Sequence, residues 1–151
     1  MRRIKASPLL LASLLFMLIG SNKISQANPP LLPNPVLYLT ATEFFSQGGK
    51  EYIRYKYDVL NKDAYPDAMF APAPALPPCG KNTNSSRTWV DIFDMSGKRL
   101  YGFCALGKAE NLSGIWFALE VDQVPPSYIY IEMSDRQTNT KYKSNLADTT
   151  L

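Results

Sequence analysis

The sequence contains no histidine and only two cysteines among its 151 residues. The lack of histidine excludes Ser-His-Asp and Cys-His catalysis, and it excludes every zinc site that needs a histidine ligand. No stretch combines a helical apolar period with helix caps, so we predict no long amphipathic helix. Charged residues make up only 19% of the chain and hydrophobic residues 46%, which is too apolar for a disordered protein. We therefore predict one folded domain that uses no metal ion and no cofactor.

Residues 1–27 are typical of a secretory signal peptide. A basic segment at 2–5 precedes a hydrophobic run at 9–20, and the small residues Ser25 and Ala27 stand at the −3 and −1 positions of a cleavage site. The alternative is an uncleaved membrane anchor, but a helix of this run would be about 18 Å long against a hydrocarbon core of about 30 Å. We expect cleavage after Ala27, a secreted or periplasmic location, and no stable membrane anchor afterwards.

Loss of this segment would remove four basic residues and no acidic residue, because all the charges in 1–27 are Lys or Arg. The formal net charge of +3 for the whole chain would become −1, with twelve basic and thirteen acidic residues left. A nearly neutral chain without a basic cluster gives no electrostatic attraction to nucleic acid or to an anionic membrane. The predicted partner is instead an extracytoplasmic protein or a glycan.

Cys79 and Cys104 are the only cysteines in a chain that we expect to reach an oxidising compartment, which favours a disulfide between them. The bond would close a loop of about 26 residues and stabilise the fold by roughly 3–4 kcal/mol. A reactive thiol pair is the alternative, but the spacing is far from the C-x-x-C pattern of redox proteins.

Short β-branched and aromatic runs alternate with turn residues along the rest of the chain and predict seven strands. The predicted strands cover residues 36–43, 51–60, 87–94, 98–104, 113–120, 127–134 and 140–145. Turn sequences at 94–98 and 135–140 predict hairpins between the third and fourth strands and between the sixth and seventh. Residues 61–86 include a proline-rich segment and are predicted to form a loop that Cys79 pins to the fourth strand.

Seven short antiparallel strands with proline-rich crossings predict an all-β, two-sheet sandwich. We place an N-terminal lead at 28–35, the sandwich domain at 36–146 and a C-terminal tail at 147–151. In its strand pattern the chain resembles the immunoglobulin and fibronectin type III superfamily. This resemblance implies one sheet of the first, second and fifth strands, a second sheet of the other four, and a tyrosine corner at Tyr128.

Three segments, 87–93, 100–106 and 115–118, are also similar to those of small exported bacterial proteins of unknown function. The similarity covers most of the predicted mature chain. It implies export and the sandwich fold, and it implies no particular activity.

The turn at 95–97 predicts the register of the third and fourth strands if Asp94 lies opposite Lys98. One face then carries the pairs Ile92–Leu100, Val90–Gly102 and Thr88–Cys104, and the other carries Phe93–Arg99, Asp91–Tyr101 and Trp89–Phe103. Burial of the second face would enclose Asp91 and Arg99 without close partners, at a cost of several kcal/mol. We therefore predict that the second face points away from the core.

The outward row of the sixth strand extends this surface, because the third and sixth strands are neighbours in the fibronectin-like arrangement. The candidate binding surface comprises Trp89, Asp91, Phe93, Tyr101, Phe103, Tyr128, Tyr130 and Glu132. A monomer seldom leaves so many aromatic residues exposed. Three interpretations are open: the proline-rich loop covers the surface, the surface binds a protein or a glycan, or the faces are inverted and Trp89 lies in the core.

The sequence favours an exported, non-enzymatic binding or accessory domain. The enzymatic alternative is a small glycan hydrolase, because Asp91 and Glu132 would lie on adjacent strands about 4.8 Å apart. A purely structural domain is the third hypothesis, and it applies if the loop already covers the aromatic surface.

Overall fold

The computed structural model describes residues 31–79 and 85–150. The predicted signal peptide lies outside the described residues, as does the segment 80–84 within the predicted loop. In the described part of the chain, no helix is long and apolar enough to cross a membrane.

The described fold contains eight β-strands, and three short 3₁₀ helices lie between them. The strands are β1 (Leu37–Gln47), β2 (Lys50–Val59), β3 (Thr88–Asp94), β4 (Arg99–Ala105), β5 (Ile115–Glu120), β6 (Tyr128–Asp135), β7 (Thr140–Lys143) and β8 (Ala147–Asp148). The 3₁₀ helices are Lys62–Ala64, Asp67–Phe70 and Ala109–Leu112. All seven predicted strands are present, and the short β8 is the one described strand that the sequence did not predict.

The strands form two antiparallel sheets that enclose the core. One sheet has three strands in the order β1–β2–β5. The other has five strands, with the order β4–β3–β6–β7 and with β8 paired to the beginning of β6. The predicted all-β architecture of two antiparallel sheets is confirmed, and so is the predicted division of the seven strands between them.

The core lies between the sheets because alternate residues of each strand point inward. The fully enclosed side chains of the central strands, each at most 4% exposed, are Tyr55, Tyr57, Val90, Ile92, Ile129, Ile131 and Met133. Burial of one such side chain stabilises the fold by about 1.5–3 kcal/mol. Because Val90 and Ile92 point inward, the alternate residues of β3 (Trp89, Asp91 and Phe93) point outward, as predicted.

The turn between β3 and β4 closes the predicted hairpin. The backbone N–H of Asp94 donates to the carbonyl of Lys98 at 3.0 Å, and Gly97 adopts a φ of +85°. The Asp94 carboxylate accepts hydrogen bonds from the backbone N–H groups of Ser96 at 2.8 Å and of Lys98 at 2.9 Å. Glycine is required at position 97 because a side chain is strained at this positive φ.

The described part of the proline-rich loop closes the end of the sandwich at which β3 begins. Its second 3₁₀ helix inserts Met69 and Phe70 into the core, where they are 2% and 0% exposed. The hydroxyl of Thr88 donates to the carbonyl of Met69 at 2.6 Å, which ties the helix to β3. The predicted disulfide is present, and it places the Cα atoms of Cys79 and Cys104 5.9 Å apart.

A buried ion pair joins the beginning of β3 to the end of β6. Nε of Arg87 donates to Oδ1 of Asp135 at 2.8 Å, and Nη2 donates to Oδ2 at 2.5 Å. The Asp135 side chain is 3% exposed, and the Arg87 side chain is 25% exposed. Next to this pair, Arg136 donates to the carbonyls of Pro77 at 2.7 Å and of Ser86 at 2.9 Å. This end of the five-stranded sheet therefore holds the loop in place.

The residues that follow the predicted domain boundary at residue 146 pair with the five-stranded sheet. The backbone of Ala147 and Asp148 pairs with β6. Thr149 is 4% exposed, and its hydroxyl donates to the carbonyl of Pro126 at 2.5 Å. This pairing could not be predicted, because a strand of two residues is too short to show an alternating pattern.

Candidate functional site

The outward residues of β3 and β6 form a continuous surface on the five-stranded sheet. This outer face consists of Trp89, Asp91, Phe93, Tyr128, Tyr130 and Glu132. Trp89, Phe93 and Tyr130 are partly exposed, and Tyr128 is 40% exposed. The inverted arrangement, with the indole in the core, is therefore wrong.

Two predicted members of this surface, Tyr101 and Phe103, lie elsewhere. The predicted register holds at the turn, where Phe93 pairs with Arg99, but a β-bulge follows. Leu100 has no partner on β3, so from Tyr101 onward every β4 residue is shifted by one position. Because strand side chains alternate, the shift turns Tyr101 and Phe103 to the opposite side of the sheet.

The shifted register places Gly102 and Cys104 on the outer side of β4, opposite Asp91 and Trp89. A Cβ atom at position 102 would lie 2.4 Å from Oδ1 of Asp91 and 2.1 Å from Nη2 of Arg99. The glycine therefore leaves the space in which these two side chains meet. Nε of Arg99 lies 2.5 Å from Oδ1 of Asp91. This ion pair explains why the Asp91 side chain is only 18% exposed although it points outward.

Four charged side chains cross the outer face in a row. Asp91 and Glu132 are opposite each other on β3 and β6, as the sequence predicted. Arg99 pairs with Asp91 on one side, and Nζ of Lys141 lies 2.6 Å from Oε1 of Glu132 on the other. The hydrogen bond and the charge of Glu132, together with the charge of Asp91, raise the pKa of Lys141. The order of charges along the row is thus positive, negative, negative, positive.

Aromatic rings flank this row, and cations or other rings pack against their faces. Phe93 and Tyr130 stack with their centroids 5.3 Å apart, and Nζ of Lys143 lies 4.0 Å from the centroid of Tyr130. The guanidinium of Arg99 lies 5.6 Å from the ring of Trp89. Tyr128 is not the implied tyrosine corner, because its ring is on the outer face and its hydroxyl makes no hydrogen bond within the described residues.

The described part of the proline-rich loop packs at one end of the sandwich. Its hydrogen bonds reach the beginning of β3, the residue after β6 and the segment after β4. Within residues 31–79 and 85–150, no hydrogen bond or ring contact joins this loop to Trp89, Phe93 or Tyr130. The hypothesis that the loop covers the outer face gains no support from its described part.

The displaced rings of Tyr101 and Phe103 form a second aromatic site with Trp116, at the seam where β4 and β5 run along the edges of the two sheets. We call this site the edge cleft. It has a volume of about 230 Å³ and is lined by Tyr101, Phe103, Asn111, Gly114, Ile115 and Trp116. The centroids of Tyr101 and Trp116 are 6.0 Å apart with their planes at 17°, and those of Tyr101 and Phe103 are 6.4 Å apart at 26°.

A sandwiched arginine holds the indole of Trp116 in place. The guanidinium carbon of Arg54 lies 4.5 Å from the centroid of Trp116 and 4.6 Å from that of Phe45. Phe45 in turn stacks on Tyr52 with the centroids 5.3 Å apart. The ladder of rings therefore runs from β1 across the outside of the three-stranded sheet to β4.

Sequence reasoning assigned no role to Trp116 or Arg54, although β5 carried a usable signal. Ile115 and Phe117 are core residues, at 3% and 2% exposure, so alternation places Trp116 on the outside. A tryptophan on the outward side of a strand, 40% exposed, is an unusual position for the largest apolar side chain. Its contact with Tyr101 required knowledge of which sheet edges meet.

No family model matches the chain, and no curated protein or solved structure shows significant similarity to it. Among the described residues, no group of three or more His, Cys, Asp or Glu side chains is placed to hold a metal ion. The function is therefore argued from the geometry of the outer face and the edge cleft.

Proposed function

We propose that the chain is a non-enzymatic binding domain that recognises a protein partner through the outer face of its five-stranded sheet. The observation that carries this proposal is the combination of partly exposed aromatic rings and paired charges on one open sheet face. Aromatic residues and arginine are enriched at protein interfaces and supply most of their binding energy.

The charge row gives the face a specific electrostatic pattern. The carboxylates of Asp91 and Glu132 lie at the centre with side-chain exposures of 18% and 23%, and Arg99 and Lys141 lie at the margins with exposures of 52% and 60%. A complementary partner would present cations opposite the centre and acidic groups opposite the margins. Such complementarity sets specificity and association rate more than it sets affinity.

The packing of the rings favours a protein over a glycan on this face. A sugar binds an aromatic side chain through the free face of the ring, where the quadrupole is negative. Here Phe93 and Lys143 pack against Tyr130, and Arg99 lies over Trp89. A partner therefore meets ring edges and charged groups rather than open ring faces.

The paired carboxylates also favour binding over glycan hydrolysis. A glycosidase needs one carboxyl group that holds a proton for the leaving group and a second that acts as base or nucleophile. Asp91 and Glu132 each have a cation within 2.6 Å, so both carboxyl groups are already engaged in ion pairs and neither is free to face a substrate. We therefore retain hydrolysis only as an outcome that the experiment must test.

The fold and the location are part of the same proposal. The order β1–β2–β5 and β4–β3–β6–β7 is the strand order of a fibronectin type III domain, and we infer a sandwich of the immunoglobulin-like class on that ground. The predicted signal peptide and the single disulfide support export, since disulfides persist in oxidising compartments.

Site-specific photo-crosslinking in the producing cells tests the proposal. A photoreactive phenylalanine analogue replaces Tyr128 on the outer face or, as a matched control, Tyr38 on β1, because the two side chains are 40% and 43% exposed. We expect a defined protein adduct from position 128 alone. The double variant Trp89→Ala/Tyr130→Ala should lose the adduct while it keeps a cooperative unfolding transition.

Three results would contradict the proposal. Equal adducts from positions 128 and 38, or none from 128, would remove the outer face as the binding surface. Saccharide binding that Trp89→Ala abolishes would assign the face to a glycan instead. Turnover of a glycan that Asp91→Asn abolishes would establish the hydrolase.

A further inference from the structure

We propose that the edge cleft is a second binding site, independent of the outer face, and that it takes a single neutral sugar ring. The cleft is lined by three aromatic side chains, one carboxamide, one glycine and one buried aliphatic residue. It carries no acidic or basic group, so a phosphate, a carboxylate or an ammonium ligand would find no countercharge there. Its ligand is therefore uncharged.

The size of the cleft limits the ligand to one ring. Pockets that enclose drug-sized molecules have volumes of about 300–1,000 Å³. The edge cleft, at about 230 Å³, is below that range and is open along the seam between the sheets. A longer glycan would place one ring in the cleft and the neighbouring rings outside it.

The rings of the edge cleft differ from those of the outer face in how many of them carry a cation. On the outer face, cations lie over both Trp89 and Tyr130. In the edge cleft, the described residues place a cation over Trp116 and none over Tyr101 or Phe103. With ring planes separated by about 3.5 Å, the centroid distance of 6.0 Å between Tyr101 and Trp116 corresponds to a lateral offset of about 5 Å. The same reasoning applies to Tyr101 and Phe103 at 6.4 Å. The three rings overlap only at their margins, so Tyr101 and Phe103 keep ring surface that attracts the polarised C–H bonds of a sugar.

The platform is also fixed before a ligand arrives. The guanidinium of Arg54 lies 4.5 Å from the ring centroid of Trp116 and 4.6 Å from that of Phe45, so it links the indole to β1. A ring that is already immobilised loses little entropy on binding. Hydroxyl groups of the ligand find partners in Oδ1 of Asn111, whose Nδ2 already donates to the carbonyl of Leu106, and in the Tyr101 hydroxyl, which makes no hydrogen bond within the described residues.

The tryptophan content of the chain allows a direct test. The protein has two tryptophans, Trp116 in the edge cleft and Trp89 on the outer face. The variant Trp89→Phe therefore reports fluorescence from the cleft alone, and Trp116→Phe reports from the outer face alone. The probes are glucose, galactose, mannose and N-acetylglucosamine, together with the β1,4- and α1,4-linked glucose trimers and the β1,4-linked N-acetylglucosamine trimer.

We expect a saturable fluorescence change for the Trp89→Phe protein with at least one of these sugars and none for the Trp116→Phe protein. Adding Tyr101→Ala to the Trp89→Phe protein should weaken binding by about tenfold or more, because one ring of the platform is lost. The control Tyr38→Ala, whose side chain is as exposed as that of Tyr101, should leave the affinity unchanged.

The absence of a saturable change with every sugar would overturn the proposal. So would a response that Tyr101→Ala leaves intact, or binding of N-acetyltryptophanamide in place of sugar, which would assign the cleft to an aromatic side chain of a peptide. None of these results bears on the crosslinks from position 128. The proposal for the edge cleft and the proposal for the outer face can therefore be refuted independently of each other.

Discussion

The substitution Asp135→Asn removes the negative charge of the buried ion pair between β3 and β6 and nearly preserves the volume of the side chain. Asp135 accepts hydrogen bonds from Nε and Nη2 of Arg87 and from the backbone N–H groups of Gln137 and Thr138. Removal of one partner of a fully buried ion pair costs about 3–5 kcal/mol. Because the Arg87 side chain is 25% exposed and regains some hydration, we expect a loss of about 2–3 kcal/mol.

A loss of this size should lower Tm by roughly 8–12 °C for a domain of this length. The assay is urea and thermal unfolding followed by far-UV circular dichroism. The matched control is Glu120→Gln, which removes an exposed ion pair of nearly the same geometry, with Nζ of Lys50 2.6 Å from Oε1 of Glu120 and side-chain exposures of 59% and 32%. An exposed pair contributes less than about 1 kcal/mol, so the control should lie close to the wild type.

The pH dependence supplies a second, independent readout. Burial by itself would raise the pKa of Asp135, but the hydrogen bonds from Arg87, Thr138 and Gln137 outweigh it and lower the pKa below its usual value of 3.8. A lowered folded-state pKa stabilises the protein above pH 3.8, and this stabilisation is lost as the pH falls through the folded-state value. The difference in the free energy of unfolding between the wild type and Asp135→Asn should therefore stay constant above about pH 5 and shrink below about pH 4.

Two results would refute this reasoning. If the free energies of unfolding of the wild type and the variant differ by less than about 0.5 kcal/mol at about pH 7, the Arg87–Asp135 pair contributes no more than an exposed ion pair. A difference that stays unchanged down to about pH 2.5 would mean that the ionisation of Asp135 is not its source.

Three further predictions concern the stability of the fold. Replacing both Cys79 and Cys104 by serine should lower the free energy of unfolding by about 3–4 kcal/mol, because the disulfide closes a loop with a sequence separation of 25; urea unfolding with and without reductant measures this. Ile92→Ala should cost about 3 kcal/mol, whereas Phe93→Ala, on the partly exposed outer face, should cost less than about 1.5 kcal/mol in the same assay. Gly97→Ala should cost about 1–2 kcal/mol because the residue has a φ of +85°, and a shift in Tm of several degrees would report it.

The strands and their inward rows were predictable because each depends on local sequence. β3 and β6 alternate between buried and more exposed residues, and the turn at Gly97 fixes where β4 begins. Both faces of β3 carry apolar residues, so Val90 and Ile92 were assigned to the core because the opposite face carries Asp91; both are 0% exposed, as expected. The orientation of Trp89 followed from theirs.

The bulge at Leu100 could not be predicted from the ribbon alone. A regular register pairs Asp91 with Tyr101, whereas the observed one pairs Asp91 with Gly102 and brings Arg99 to the carboxylate. The observed register is stabilised by that ion pair and by the stacking of Tyr101 on Trp116, which is a residue of the other sheet. Interactions between residues far apart in sequence therefore decide the register, and periodicity does not contain them.

The single unpaired residue in β4 has an evolutionary consequence. Deletion of Leu100 would remove the bulge and leave Tyr101 opposite Ile92 and Phe103 opposite Val90, so both rings would stay on their present side of the sheet. The loss of one codon at this point should therefore give a regular ribbon with the same surfaces. A homologue that is one amino acid shorter here should keep both rings at the seam between the two sheets.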